Sequence, residues 1–151
     1  IQDAFISVGI DTVVMSAVEM NAFCEQYTQR DAVRALERGK VVVFGCGTGN
    51  PFFSTDTGAV LRAAEIGADV ILMAKNIDGV YTADPHKDPS AEKLSETTYD
   101  HILSEHLGVI DMTAASLAMD NSIPLYIFGL NDPENIYRVA KGERIGTKIV
   151  K

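Results

Sequence analysis

The chain has 151 residues, about one domain of ordinary size, and can bury roughly two thirds of its unfolded surface. Apolar residues make up 46% and charged residues 23%, the balance of a folded globular protein rather than a disordered one. Thirteen Lys and Arg against 21 Asp and Glu leave a formal charge of -8, which argues against nucleic acid or a membrane surface as partner, since both need a basic footprint. The first residues, Ile-Gln-Asp-Ala-Phe, carry no basic segment followed by an apolar one, so no secretory signal is expected. No apolar run approaches the ~20 residues needed to cross a bilayer. Cytoplasmic location follows as an expectation, and the start without an initiator Met is what a fragment shows. Cys24 and Cys46 are too far apart for a CxxC unit, so two reduced, buried or half-buried thiols are expected.

Asp11–Val18, rich in Val and Thr, reads as a short strand. Gln29–Arg38 has Ala32, Val33, Ala35 and Leu36 at helical spacing, with Gly39 as its stop. Lys40–Phe44 is a β-branched run of the kind buried on both faces of a parallel sheet. Thr55 and Asp56 are positioned to cap a helix running through Val60, Leu61 and Ala64 to Gly67. Asp69–Ala74 is the next buried strand. Beyond Lys75, Asp78-Gly79 signals a hairpin turn, Val80–Thr82 alternates, and Asp84-Pro85 breaks the run. Thr97–His106 and Thr113–Asn121 read as helices, Pro124–Phe128 as a buried strand, Pro133–Ala140 as a helix and Thr147–Val150 as a closing edge strand. The alternation predicts a doubly wound α/β fold, a mainly parallel sheet with helices on both faces and a β-hairpin excursion near 78–88. No repeat, linker or internal boundary appears, so residues 1–151 read as a single domain.

The most informative stretch is Gly45-Cys-Gly-Thr-Gly-Asn-Pro-Phe-Phe-Ser-Thr-Asp56. It follows a strand and opens a helix, at the carboxyl edge of a sheet, where α/β proteins bind ligands. Glycines allow positive φ and close approach, and the helix N-terminus suits a phosphate. Thr48, Ser54 and Thr55 add hydroxyl donors, while Phe52 and Phe53 offer flat faces for a base or sugar. The alternative is a glycine-rich turn whose phenylalanines pack into the core. The pattern is neither G-x-G-x-x-G nor a P-loop. Asp56 is either a helix cap or, near a phosphate, a carboxylate that must hold a Lys or Mg²⁺ in between. In the second stretch, Lys75–Pro85, Lys75 can reach a phosphoryl group, Tyr81 can stack on a nucleobase and Asp84 can accept from a ribose hydroxyl or base amine. The alternative there is a plain surface hairpin. His101 and His106 lie five apart, the wrong spacing for a zinc pair, and no metal site is expected.

Thr48-Gly-Asn-Pro-Phe-Phe-Ser-Thr-Asp56 followed by Asp78-Gly-Val-Tyr-Thr-Ala-Asp-Pro85 resembles the bacterial uridylate kinases of the amino acid kinase superfamily. Ala63-Ala-Glu-Ile, Val109-Ile-Asp-Met-Thr-Ala, Met119-Asp-Asn and Gly142-Glu-Arg-Ile-Gly-Thr continue the resemblance in order, over residues 29–151. It implies a partial amino acid kinase domain and phosphoryl transfer from ATP with Mg²⁺ to UMP, giving UDP and ADP. It implies UMP binding by Thr48, Gly49, Asn50, Pro51, Phe52, Phe53, Ser54 and Thr55, with Asp56 organising positive groups around the transferring phosphate. It places ATP on Lys75, Asn76, Tyr81 and Asp84, leaving open which of Lys75 and Asn76 meets the nucleotide. A homo-oligomer, hexameric by resemblance, and GTP and UTP effectors are further implications. The family's Lys-x-Ser-Gly and Gly-Gly-Gly-Asn loops have no counterpart before Asp11, so this stretch alone is expected to be inactive. Two other functions compete: a non-catalytic nucleotide-binding module, and an amino acid kinase acting on carbamate or a carboxylate, which has less use for Phe52 and Phe53.

Overall fold

A computed structural model describes residues 1–85 and 87–151, which divide into two compact units, Ile1–Gly67 and Ala68–Lys151. The first unit contains α1 (Gln2–Ser7), β1 (Thr12–Ser16), β2 (Glu25–Gln26), α2 (Gln29–Glu37), β3 (Val41–Gly45) and α3 (Thr55–Ile66). Its strands form a parallel sheet in the order β2-β1-β3, with Thr12 opposite Val41 and Ser16 opposite Gly45. Parallel neighbours need a long crossover, which α2 supplies between β1 and β3. Thr28 starts α2 by accepting the Asp31 amide at 3.1 Å. Ala32 and Ala35 then bury against Met15, and Val13, Tyr27, Val42, Phe44 and Ile66 pack around them. Small alanines let the helix approach the sheet closely, so the core of this unit is thin.

The second unit contains β4 (Ile71–Lys75), β5 (Val80–Tyr81), β6 (Lys93–Leu94), β7 (Glu96–Thr98), α4 (Tyr99–Ser104), α5 (Met112–Asp120), β8 (Leu125–Gly129), α6 (Glu134–Ala140) and β9 (Thr147–Val150). Its main sheet runs β4-β8-β9-β7, and β5 and β6 form a separate antiparallel ribbon. Leu125, Ile127, Phe128, Ile149 and Tyr99 are fully buried and make its core. Thr147 is buried among them, its hydroxyl donating to the Leu94 carbonyl at 2.5 Å and accepting the Val80 amide at 2.8 Å. That pairing removes the cost of an unsatisfied buried hydroxyl and ties the ribbon to β9. Of the six strand pairings among the described residues four are parallel, so the expectation of a mainly parallel α/β fold holds.

Several local expectations are corrected. Val41 is 37% exposed and the rest of β3 half-buried, because β3 is an edge of its sheet and not a strand covered on both faces. Likewise β4 alternates, with Ile71 and Met73 buried and Leu72 exposed, as an edge strand with one covered face does. Asp78-Gly79 leads into β5 and does not turn it; the return strand is β6, so the excursion extends past residue 88 to 94. Residues 97 and 98 belong to β7, and Thr98 caps a helix that ends at Ser104. β9 is not an edge strand: it lies between β8 and β7, antiparallel to one and parallel to the other. Cys46 is exposed and Cys24 half-buried. The helix at Gln2–Ser7 and the two-residue strand at Glu25–Gln26 gave no periodic signal, being too short to show one.

Candidate functional site

In the first unit the candidate site is the loop that leaves β3 at Gly45 and enters α3. Cys46, Gly47, Gly49 and Phe52 all adopt left-handed backbone, with φ of 63°, 57°, 76° and 69°. Gly49 also packs against β1's exit: a Cβ there would lie 3.0 Å from the Ala17 carbonyl oxygen. The turn is closed by the Gly49 amide donating to the Cys46 carbonyl at 3.0 Å. The Thr48 hydroxyl accepts the Asn50 amide at 3.1 Å, and the Asn50 side-chain nitrogen donates back to the Thr48 carbonyl at 3.2 Å. Thr48 and Asn50 therefore shape the loop as well as lining it.

Phe52 is fully exposed and Phe53 is 54% exposed, which overturns the reading in which these rings pack into the core. Two apolar rings held out in water on a strained turn are costly unless something covers them. The helix cap is Ser54 rather than Thr55 or Asp56. Its extended backbone lets the hydroxyl accept the Thr57 amide at 3.1 Å, which places Thr55 and Asp56 in the first turn of α3. The Asp56 carboxylate thus lies at the positive end of a twelve-residue helix. Pro51 completes the turn, exposed.

One residue of this site escaped sequence reading. Arg62 on α3 is 8% exposed, and its Nη2 donates to the Gly47 carbonyl at 3.1 Å. Its Nη1 pairs with the Glu65 carboxylate at 2.5 Å, and its guanidinium lies 3.9 Å from the centre of the Tyr27 ring. The Tyr27 hydroxyl donates to the same Glu65 oxygen. Burial, then the hydrogen bond to Glu65, raises the Tyr27 pKa.

In the second unit Lys75, Asn76, Tyr81 and Asp84 all line one cavity of about 870 Å³. Lys75 ends β4, and its ammonium donates to the Val109 carbonyl at 2.7 Å, joining the strand to the loop before α5. Tyr81 is held by its hydroxyl, which donates to Asp78 at 2.9 Å. The other Asp78 oxygen takes the Lys93 ammonium at 3.0 Å, and Lys93 also donates to the Ile145 carbonyl. Partial burial pushes the Asp78 carboxyl up, but the bonds from Lys93 and Tyr81 outweigh it and hold the carboxyl below its usual range. The same bond raises the Tyr81 pKa. Asp84 pairs with Lys87 at 3.2 Å. Residues 105–109 form a wall of the cavity, a role that no local sequence signal marks, although Val109 opens one of the stretches of resemblance.

A profile of the amino acid kinase family matches residues 1–129. The chain belongs to the amino acid kinase family. Among solved structures, the UMP kinase of Bacillus anthracis is 35% identical with a TM-score of 0.90, over 97% of this chain and 62% of that one. The UMP kinase of Ureaplasma parvum is 34% identical with a TM-score of 0.93, over 99% and 64%. The uridylate kinase of Archaeoglobus fulgidus is 38% identical with a TM-score of 0.68, over 82% and 58%. This amino acid kinase chain therefore spans about three fifths of the length of the structures it matches. Among the described residues no group of three or more His, Cys, Asp and Glu side chains is arranged to hold a metal, and no helix is long and apolar enough to cross a membrane.

Proposed function

We propose that the chain is the larger part of a nucleoside monophosphate kinase that transfers the γ-phosphoryl group of ATP to UMP, giving UDP and ADP. The observation that carries this reading is the likeness to two UMP kinases over 97% and 99% of the chain. The loop Thr48–Thr55 binds UMP, with Phe52 and Phe53 as the apolar platform for base and sugar, and loop and helix amides with the Thr48, Ser54 and Thr55 hydroxyls toward the phosphate. Asp56 orders the positive groups around the transferring phosphoryl. The cavity bounded by Lys75, Asn76, Tyr81 and Asp84 takes ATP, with Lys75 as the compact positive charge and Tyr81 against the base. Phosphoryl transfer asks for positioning and charge stabilisation more than for a covalent residue, which this donor set can supply. Mg²⁺ commonly keeps its waters and rides on substrate phosphates with one or two carboxylates, and Asp56 is the carboxylate of this loop that would hold it. Residues 1–151 form part of a single kinase domain, cytoplasmic, acting in pyrimidine nucleotide synthesis within a hexamer that responds to GTP and UTP.

The test is calorimetry on the intact kinase. The double variant Phe52→Ala/Phe53→Ala should weaken UMP and leave ATP unchanged, and Tyr81→Ala should do the opposite. The reverse pattern would contradict the assignment of the two substrates.

A further inference from the structure

We infer that Arg62 is a positioning residue for the acceptor loop, fixing the orientation of the Gly47–Thr48 peptide so that the Thr48 amide is presented to UMP. The inference rests on the proposed reading of this loop as the acceptor site. A trans peptide points its C=O and N–H in opposite directions. With the Gly47 oxygen bound to Arg62 at 3.1 Å, the Thr48 N–H is aimed away from Arg62. No acceptor among the described residues takes that N–H. It is a donor held ready.

A flip of this peptide turns ψ at Gly47 and φ at Thr48, and glycine at 47, left-handed here at φ of 57°, leaves its own side of the peptide free to turn. Arg62 removes that freedom with a charge-assisted bond, and the guanidinium is itself held on two further sides. Glu65 takes one nitrogen, the Tyr27 ring lies against its face, and the Tyr27 hydroxyl locks the Glu65 carboxylate. Tyr27 in turn is anchored to β1 through its amide and the Ser16 carbonyl at 2.8 Å. A buried arginine serving stability alone is a poor choice, since an apolar side chain of similar volume fills such a space at no charge-burial cost. Its fork meets a carbonyl and a carboxylate together, which lysine cannot reproduce while also covering the tyrosine.

The experiment is UMP calorimetry and steady-state kinetics on Arg62→Met and Arg62→Lys in the intact kinase, with backbone amide exchange followed at Thr48. Loss of the peptide's orientation should weaken UMP roughly tenfold, about 1.4 kcal/mol, in both variants. The KM for ATP should stay within about twofold, and exchange at Thr48 should quicken. Arg34→Met, on the exposed side of α2 and outside this network, should bind UMP like the parent. If Arg62→Met does not fold, Arg62→Met/Glu65→Gln removes the carboxylate left behind and reads the same quantities. UMP affinity unchanged in the variants, or UMP and ATP weakened together, overturns the inference. A parent kinase that binds no UMP instead overturns the functional reading, and the inference falls with it.

Discussion

Replacing Gly49 by alanine tests whether the acceptor loop is built around this one backbone position. At φ of 76° an alanine sits in the left-handed region at a cost of about 1–2 kcal/mol. Its Cβ would also lie 3.0 Å from the Ala17 carbonyl oxygen and 3.1 Å from the Ala17 Cβ, tighter than ordinary packing. Ala17 has little room to retreat, because its amide donates to the Gly45 carbonyl at 3.1 Å. Overpacking of this kind adds about 1–3 kcal/mol. Against this, alanine restricts the unfolded chain and returns about 0.4–1 kcal/mol. The net expectation is a loss of about 1–5 kcal/mol, read as a lower urea midpoint with an unchanged slope. Strain relieved by moving the loop appears instead as weaker UMP binding, so both are measured. Gly67→Ala is the control. Its φ is 68° but nothing lies within 4 Å of the added methyl, so it should lose about 1 kcal/mol and keep its UMP affinity. A Gly49→Ala protein with the parent's midpoint and the parent's UMP affinity would refute the reasoning.

Three other outcomes follow. If Asp56 has the proposed role of organising charge at the reacting phosphate, Asp56→Asn should lower kcat at least about tenfold with the thermal midpoint retained; parental turnover would exclude that role. Lys75→Met should raise the KM for ATP by about tenfold and leave that for UMP, since it removes both a positive charge and the tie to Val109; equal effects on the two substrates would exclude it. Tyr99 is fully buried, its hydroxyl donating to the Ile123 carbonyl at 2.7 Å, and burial pushes its pKa from 10.0 up to about 12. A raised folded pKa gives stability that is whole below pH 10 and lost as pH climbs toward 12, about 3 kcal/mol in all. The stability gap between the parent and Tyr99→Phe should therefore narrow between pH 9.5 and pH 11.5, and a constant gap would show that Tyr99 does not titrate this way.

The α/β architecture was legible because β-branched runs such as Val41–Val43 and alanine-spaced helices such as α2 declare themselves locally. What escaped was set by distance or by a single dihedral. The choice of Ser54 over Thr55 as cap depends on which residue keeps extended backbone, and neighbouring hydroxyl residues look alike in sequence. The interior position of β9 depends on strand partners at residues 96–98 and 125–127, which no local period encodes. Within the candidate site the loop and the Lys75–Asp84 stretch stood out through glycine, proline and aromatic content. Arg62 did not, because a lone arginine in a helical run reads as a solvated residue, and its partner Gly47 lies 15 positions away. The Lys75 bond to Val109, across 34 positions, was equally silent.

UMP is the phosphoryl acceptor proposed for the kinase to which this chain belongs. The most direct measurement is turnover of the intact kinase with ATP against a panel of UMP, CMP, carbamate and free amino acids, following ADP and identifying the phosphorylated product. UDP is expected as the main product, with carbamate and amino acids inert. Phosphorylation of carbamate or an amino acid, with UMP untouched, would contradict it.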